Sequence, residues 1–198
     1  MKTPTQSLRR QLKQARQQLS AAEQRQHSQQ ATHLLLRSPW LQRPKQIAVF
    51  LSQAGELDTQ HLIQALWRRG HQVYLPVLKT FRGFRQRPMA FAPYPPNTPL
   101  VKAHFGIPEP KIAQQHHKHG LQMEVVIVPL VGFDKLGNRL GMGGGYYDRS
   151  FARKRTLNLQ RPILIGWAHE CQSVPQLPAQ PWDVPLDAVV TEKQIYRF

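Results

Sequence analysis

Chemistry is concentrated in Gly137-Asn138-Arg139-Leu140-Gly141-Met142-Gly143-Gly144-Gly145-Tyr146-Tyr147-Asp148-Arg149. Four of the chain's twelve glycines fall within Gly141–Gly145, with Arg139 ahead of them and Asp148 and Arg149 behind. Glycine admits φ > 0 and removes the side chains that would keep a ligand away from main-chain N–H groups. A loop of that kind at a helix start offers backbone donors together with the positive end of a helix dipole, a combination suited to phosphate. The two guanidinium groups fit phosphate oxygens, and a neighbouring carboxylate can hold a nucleotide's Mg²⁺. A glycine-rich hinge or tight strand-to-helix turn is the competing reading. The loop is neither a dinucleotide fingerprint, since Tyr146 stands where the last glycine would be, nor a P-loop, since no Gly-Lys-Ser/Thr follows.

Such a loop needs a scaffold. The apolar run Val125–Val131 predicts a buried strand ahead of it, and Tyr146–Lys154 predicts the helix after it. Upstream, Leu8, Leu12, Ala15 and Leu19 share a narrow arc, so Thr5–Leu19 reads as an amphipathic helix. Arg9, Lys13 and Arg16 flank that arc, where they either overhang a pocket or form a solvated face. Ser20-Ala21-Ala22-Glu23 is a capping box opening a second helix to about Arg37, which Ser38-Pro39 ends. Ile47–Leu51, a helix over Thr59–Arg69 capped by Asp58 or Thr59, and Val73–Pro76 form a β-α-β unit with an expected parallel crossover. Met89–Phe91, Ile163–Trp167 and Ala188–Val190 complete the strands. The alternation predicts an α/β fold: a three-layer α/β/α single domain over residues 1–198, with a mixed, mostly parallel sheet and an N-terminal helical segment.

Three further segments are ambiguous alone. Lys79–Arg87 interleaves basic residues with Phe81 and Phe84, reading either as a surface loop folded onto the core or as a single-strand nucleic-acid platform. Gly106-Ile107-Pro108-Glu109-Pro110 reads as a rigid turn holding Glu109 in place. His116-His117-Lys118-His119 lacks carboxylates or cysteines at ligand spacing and reads as a solvated loop.

Composition narrows the class. The 198 residues can bury a good core, and no apolar run approaches the ~20 residues that span a bilayer. A single cysteine, Cys171, and a polar N-terminus predict a soluble, cytoplasmic protein. Lys and Arg total 27 against 11 acids, for a net charge of +16, which favours polyanionic partners. Charge alone leaves open a non-catalytic RNA- or DNA-binding protein.

The combination of motifs resembles the 5-formyltetrahydrofolate cyclo-ligase family. The matching pieces run in order: Leu8-Arg9; Phe50-Leu51 with Glu56-Leu57-Asp58-Thr59; Leu75-Pro76; Gly106–Pro110; Val128-Pro129; Phe133-Asp134; Gly137–Arg149; Ile165-Gly166; Leu177-Pro178; Trp182-Asp183; and Val189-Val190-Thr191. The resemblance implies an ATP- and Mg²⁺-dependent ligase that cyclises 5-formyltetrahydrofolate, with or without a polyglutamate tail, to 5,10-methenyltetrahydrofolate, releasing ADP and phosphate. It implies ATP binding by Thr5, Arg9, Arg139, Leu140, Gly141, Met142, Gly143, Gly144, Gly145, Tyr146 and Tyr147. Leu51, Glu56 and Tyr147 would meet the folate, Tyr147 and Arg139 the reacting groups, and Asp148 and Asp183 the Mg²⁺. Many members carry a lysine where this chain has Thr5, with Lys2 and Arg10 as alternative cations; some carry basic residues where it has Met142 and Gly144.

Overall fold

A computed structural model describes residues 4–78, 88–102 and 106–198. Helix α1 spans Pro4–Gln17, with proline at the first position, where its missing N–H costs nothing. The Ser20–Glu23 capping box is formed and opens α2, Ala21–Leu36. Strand β1, Gln46–Ala48, is shorter than the apolar run around it. The Thr59 hydroxyl donates to the Phe50 carbonyl at 2.7 Å and accepts from the Ser52 amide at 3.2 Å, so side-chain bonds replace the ladder there. Helix α3, Gln60–Arg68, and β2, Gln72–Val77, complete the expected parallel β-α-β unit. The Asp58 carboxylate accepts from the Gln60 amide at 3.1 Å, as one of the two anticipated caps.

Next come β3 (Ala90–Pro93), β4 (Leu100–Lys102), β5 (Pro108–Pro110) and β6 (Lys118–His119). Two expectations change here. Pro108–Pro110 pairs with β4 instead of forming only a turn, although Glu109 is indeed held, accepting from the Leu78 amide at 2.8 Å. Lys118–His119 is an edge strand on β3, not a loop.

Strand β7, Val125–Pro129, stops at the proline, which has no N–H for a ladder. The glycine loop does not follow it directly. A hairpin, β8 (Gly132–Phe133) and β9 (Arg139–Leu140), intervenes, and the Val131 amide donates to the Leu140 carbonyl at 2.7 Å. Asp134 organises this hairpin. Fully buried, it accepts from the Leu136, Asn138 and Leu177 amides and from Asn138 Nδ2, all within 3.0 Å. Burial opposes its charge, but these bonds outweigh that and hold the carboxyl below its ordinary range. Helix α4, Tyr146–Thr156, then leads to β10 (Ile163–Trp167), β11 (Ala188–Val190) and β12 (Ile195–Arg197).

The main sheet runs β12-β11-β10-β7-β1-β2-β3-β6, parallel from β11 to β2 and antiparallel at its margins. Alternate strand residues point to opposite faces. Ile47, Val125, Ile127, Ile165 and Val190 pack with Leu35 of α2 and Leu62 and Leu66 of α3. Ala48, Val126, Val128, Leu164 and Val189 pack with Phe151 of α4. These are the three expected layers. Strand order reverses between β1 and β7, and in such sheets the crevice beyond the carboxyl ends at that point is where ligands bind. No described helix is long and apolar enough to cross a membrane.

Candidate functional site

The loops after β1 and β7 meet at this crevice, and α1 lies across them. Leu12 is buried with Val131, Leu140 and Leu177 and docks α1 on the hairpin. Arg9, Leu12 and Arg16 stand at i, i+3 and i+7 on one helical face. Docking Leu12 therefore sends one arginine to each side. Arg9 Nε donates to the Gly141 carbonyl at 2.8 Å, beside the glycine loop. Arg16 enters the interior.

That burial of Arg16 was not anticipated by its place in a basic stripe. Its side chain is 1% exposed, its Nη1 lies 3.3 Å from the Leu130 carbonyl and 3.5 Å from Glu56 Oε1, and its Nε has no partner. Glu56 Oε2 also accepts the Gln53 amide at 3.0 Å. Burial pushes the Glu56 carboxyl up, while Arg16, that hydrogen bond and the more distant Lys13 pull against it. Burial likewise lowers His169 to about 4, with His27 and Arg16 adding to the effect and the Gly55 backbone opposing it.

In the glycine loop, Gly143 has φ +98° and Gly145, the N-cap of α4, has φ +62°. These conformations favour glycine. A Cβ at Gly141 or Gly143 would meet no atom within 4 Å, so a space borders the loop that side chains would fill. The cap supplies no side-chain bond to the first amides of α4, leaving that end of the helix for an external anion. Arg149 holds the loop from behind, donating to the Gly144 carbonyl at 2.7 Å with its guanidinium 5.1 Å from the Tyr146 ring centre. Leu140 is buried, Met142 exposed, and Thr5 lies one turn before Arg9.

Tyr147 is half-buried and stacks on Phe151 at 6.3 Å. Burial raises its phenol well above the ordinary value, with Glu56 adding and Arg139 opposing. The phenol therefore stays protonated at neutral pH and can donate a hydrogen bond. Arg139 is already engaged: Nη2 contacts Asp148 Oδ1 at 2.6 Å and Nη1 donates to the Val184 carbonyl. Asp148 Oδ1 also accepts the Val184 amide at 3.0 Å, which brings Asp148 beside the backbone that follows Asp183. Asp183 Oδ2 accepts the Gln180 amide at 2.9 Å. Leu51 is half-buried against the helical side of the core.

The structure thus gathers Arg9, the glycine loop, Arg139, Asp148 and Tyr147, and joins Glu56 to them electrostatically. Reading α1 by its apolar spacing missed Arg16, although Leu12 plus four residues is a position on the same face. Lys2 and Lys79–Arg87 lie outside the described residues.

A glycine loop and α1 meet at the switch point of a three-layer α/β/α fold, the place where α/β enzymes bind their ligands. Residues 1–192 match the 5-formyltetrahydrofolate cyclo-ligase family. The chain is 41% identical over 187 residues to the 5-formyltetrahydrofolate cyclo-ligase of Escherichia coli K12, covering 94% of this chain and all of that one. It is 40% identical over 181 residues to the Haemophilus influenzae cyclo-ligase, covering 91% and 94%. The solved 5,10-methenyltetrahydrofolate synthetase of Aquifex aeolicus superposes with TM-score 0.80 at 28% identity, covering 98% of this chain and 93% of that one. The Mycoplasma pneumoniae synthetase superposes with TM-score 0.71 at 25% identity, covering 96% and 99%. The chain belongs to the 5-formyltetrahydrofolate cyclo-ligase family and is an enzyme of that class.

Proposed function

We propose that this enzyme uses ATP and Mg²⁺ to cyclise 5-formyltetrahydrofolate to 5,10-methenyltetrahydrofolate, releasing ADP and phosphate in the cytoplasm. The observation that carries the reading is the glycine loop at the uncapped start of α4, flanked by Arg9 and bordered by space at Gly141 and Gly143. Family membership supports the folate substrate, with or without a polyglutamate tail. The single free cysteine suits a reducing compartment.

The formyl oxygen attacks the γ-phosphorus and ADP departs. The neighbouring anilino nitrogen then bonds to the formyl carbon and loses its proton, while the C–O bond breaks and phosphate leaves with the formyl oxygen. The protein needs no side-chain nucleophile; it positions the partners and neutralises charge. Loop amides and Arg9 hold the triphosphate. Glu56 accepts hydrogen bonds from the donor-rich pterin, and the Leu51 side chain lines the apolar side. The Tyr147 hydroxyl donates toward the reacting group. Asp148 and Asp183 would hold Mg²⁺, hard oxygen ligands for a hard cation that supplies charge neutralisation at the phosphates. Arg139 orients Asp148.

The test incubates protein with ATP, Mg²⁺ and substrate labelled with ¹⁸O in the formyl group, following the near-ultraviolet band of the methenyl product. ATP-dependent product with label in phosphate is expected. Product formed without ATP, or label absent from phosphate, would overturn the mechanism.

A further inference from the structure

A second set of ligating groups lies at the same edge of the sheet, beyond the two outer parallel strands. His169 follows β10, Glu192 follows β11, and His27 projects from α2, which packs across them. Among the described residues they are the group of three potential metal-ligating side chains that stand together, with one ligand atom from each lying within 4.8 Å of the others. His27 Nδ1 is 3.0 Å from His169 Nδ1 and 3.8 Å from Glu192 Oε1. Four-coordinate zinc, with bonds of about 2.0–2.2 Å, holds its ligand atoms roughly 3.3–3.5 Å apart. The two separations from His27 bracket that spacing and the third lies within 4.8 Å, so side-chain adjustment of about an ångström completes it. We propose that His27, His169 and Glu192 form a binding site for a borderline divalent transition-metal ion, zinc above all, distinct from the phosphate crevice.

The surroundings are those of a supported site. Glu192 uses its other oxygen, Oε2, to accept the Glu170 amide at 2.9 Å, which presents Oε1 toward His27. His169 is fully buried, its backbone amide tied to Gln172 Oε1 at 2.9 Å, and Gln172 in turn grips the Leu130 and Val131 carbonyls at 3.0 Å. Such outer contacts fix the orientation of metal ligands. His169 Nε2, buried, has no hydrogen-bond partner, so the ring's other polar contacts do not satisfy this nitrogen. Two imidazoles and a carboxylate suit zinc, cobalt or nickel, whereas Mg²⁺ prefers oxygen alone. Three protein ligands leave a position for water. The nearby Arg16 charge opposes a cation there, but Glu56 compensates it at 3.5 Å. Bound metal would clamp α2 to the ends of β10 and β11.

The experiment titrates metal-free full-length protein with Zn²⁺ against a chromophoric chelator, and separately with Co²⁺ while recording its visible absorption. Wild type should take up one equivalent, give the intense visible bands of four-coordinate cobalt, and melt at a higher temperature with zinc. His27→Ala, changed on a half-exposed helical position, should weaken uptake by more than about 100-fold, beyond the 10–100-fold that losing an outer-shell partner costs. Glu192→Gln should also weaken it. A double variant of the other histidine cluster, His116→Ala with His117→Ala, should bind as wild type. Absence of stoichiometric uptake by folded wild type would overturn the proposal. So would uptake unchanged by His27→Ala and Glu192→Gln, or uptake lost in the His116/His117 variant.

Discussion

Replacing Arg16 by methionine keeps most of its volume and removes its charge. Glu56 would then face the interior without its cation, having only 13% of its side chain exposed. Stripping one partner from a buried ion pair costs about 3–5 kcal/mol, because a charge is left uncompensated. The Leu130 carbonyl is not orphaned by the change, since Gln172 Nε2 still donates to it at 3.0 Å, so the loss is concentrated on Glu56. At about 2–4 °C of melting temperature per kcal/mol for a chain of this size, the drop should be roughly 6–20 °C. Its pH dependence has a definite sign. Burial raises the Glu56 carboxyl above its ordinary 4.5 in the folded protein, so stability linked to its protonation is full below that value and is lost as pH rises through the folded one. Removing Arg16 raises the folded value further, so the deficit relative to wild type should be larger at about pH 8 than at about pH 5. Urea unfolding at both pH values measures it. Adding Glu56→Gln should recover at least half of the loss. A deficit below about 1 kcal/mol at both pH values, or no recovery in the double variant, would refute the reasoning.

Three other outcomes are expected. Asp148→Asn should lower the melting temperature by breaking the 2.6 Å contact with Arg139, and should also raise the Mg²⁺ concentration needed for half-maximal turnover; an unchanged Mg²⁺ requirement would assign Asp148 to structure alone. Arg9→Ala should raise KM for ATP about 10–100-fold, the worth of a charge-assisted bond of about 1.5–3 kcal/mol, with KM for folate unmoved; steady-state kinetics in both substrates separate the two. Asp134, held below its ordinary 3.8, contributes stability above that pH that is lost as pH falls through its folded value. Asp134→Ala should strand three backbone amides and cost about 3 kcal/mol or more at neutral pH, and acid titration of its unfolding free energy should lack the wild-type decline attributable to this group.

Local signals made much of the fold legible. The Ser20–Glu23 box, the glycine loop running into α4 and the unit from β1 to β2 are written in short-range spacing, and each forms within a few residues of its expected limits. Other features depend on partners distant in sequence. Ile47–Leu51 reads as one strand, but Thr59 and Ser52 draw its end out of the ladder. The β8–β9 hairpin hides between two stronger patterns and is specified by Asp134 reaching Leu177, 43 residues away. Arg16 reads as a polar residue because spacing does not reveal that Glu56 waits inside. Within the site, residue types pointed to the glycines, Arg139, Asp148 and Arg149, the basic stripe to Arg9 among others, and the family resemblance to Tyr147, whereas the commitment of Arg139 to Asp148 and Val184 emerges only from the packed chain.

Gly141 offers the cleanest probe of the phosphate cradle. Its φ lies outside the left-handed region, and an added Cβ meets nothing in the protein, so Gly141→Ala should fold as wild type, within about 0.5 kcal/mol. The methyl group would occupy the space assigned to the triphosphate. Calorimetric titration with ATP and Mg²⁺ should show affinity weakened tenfold or more in this variant; affinity equal to wild type would contradict nucleotide binding at the loop.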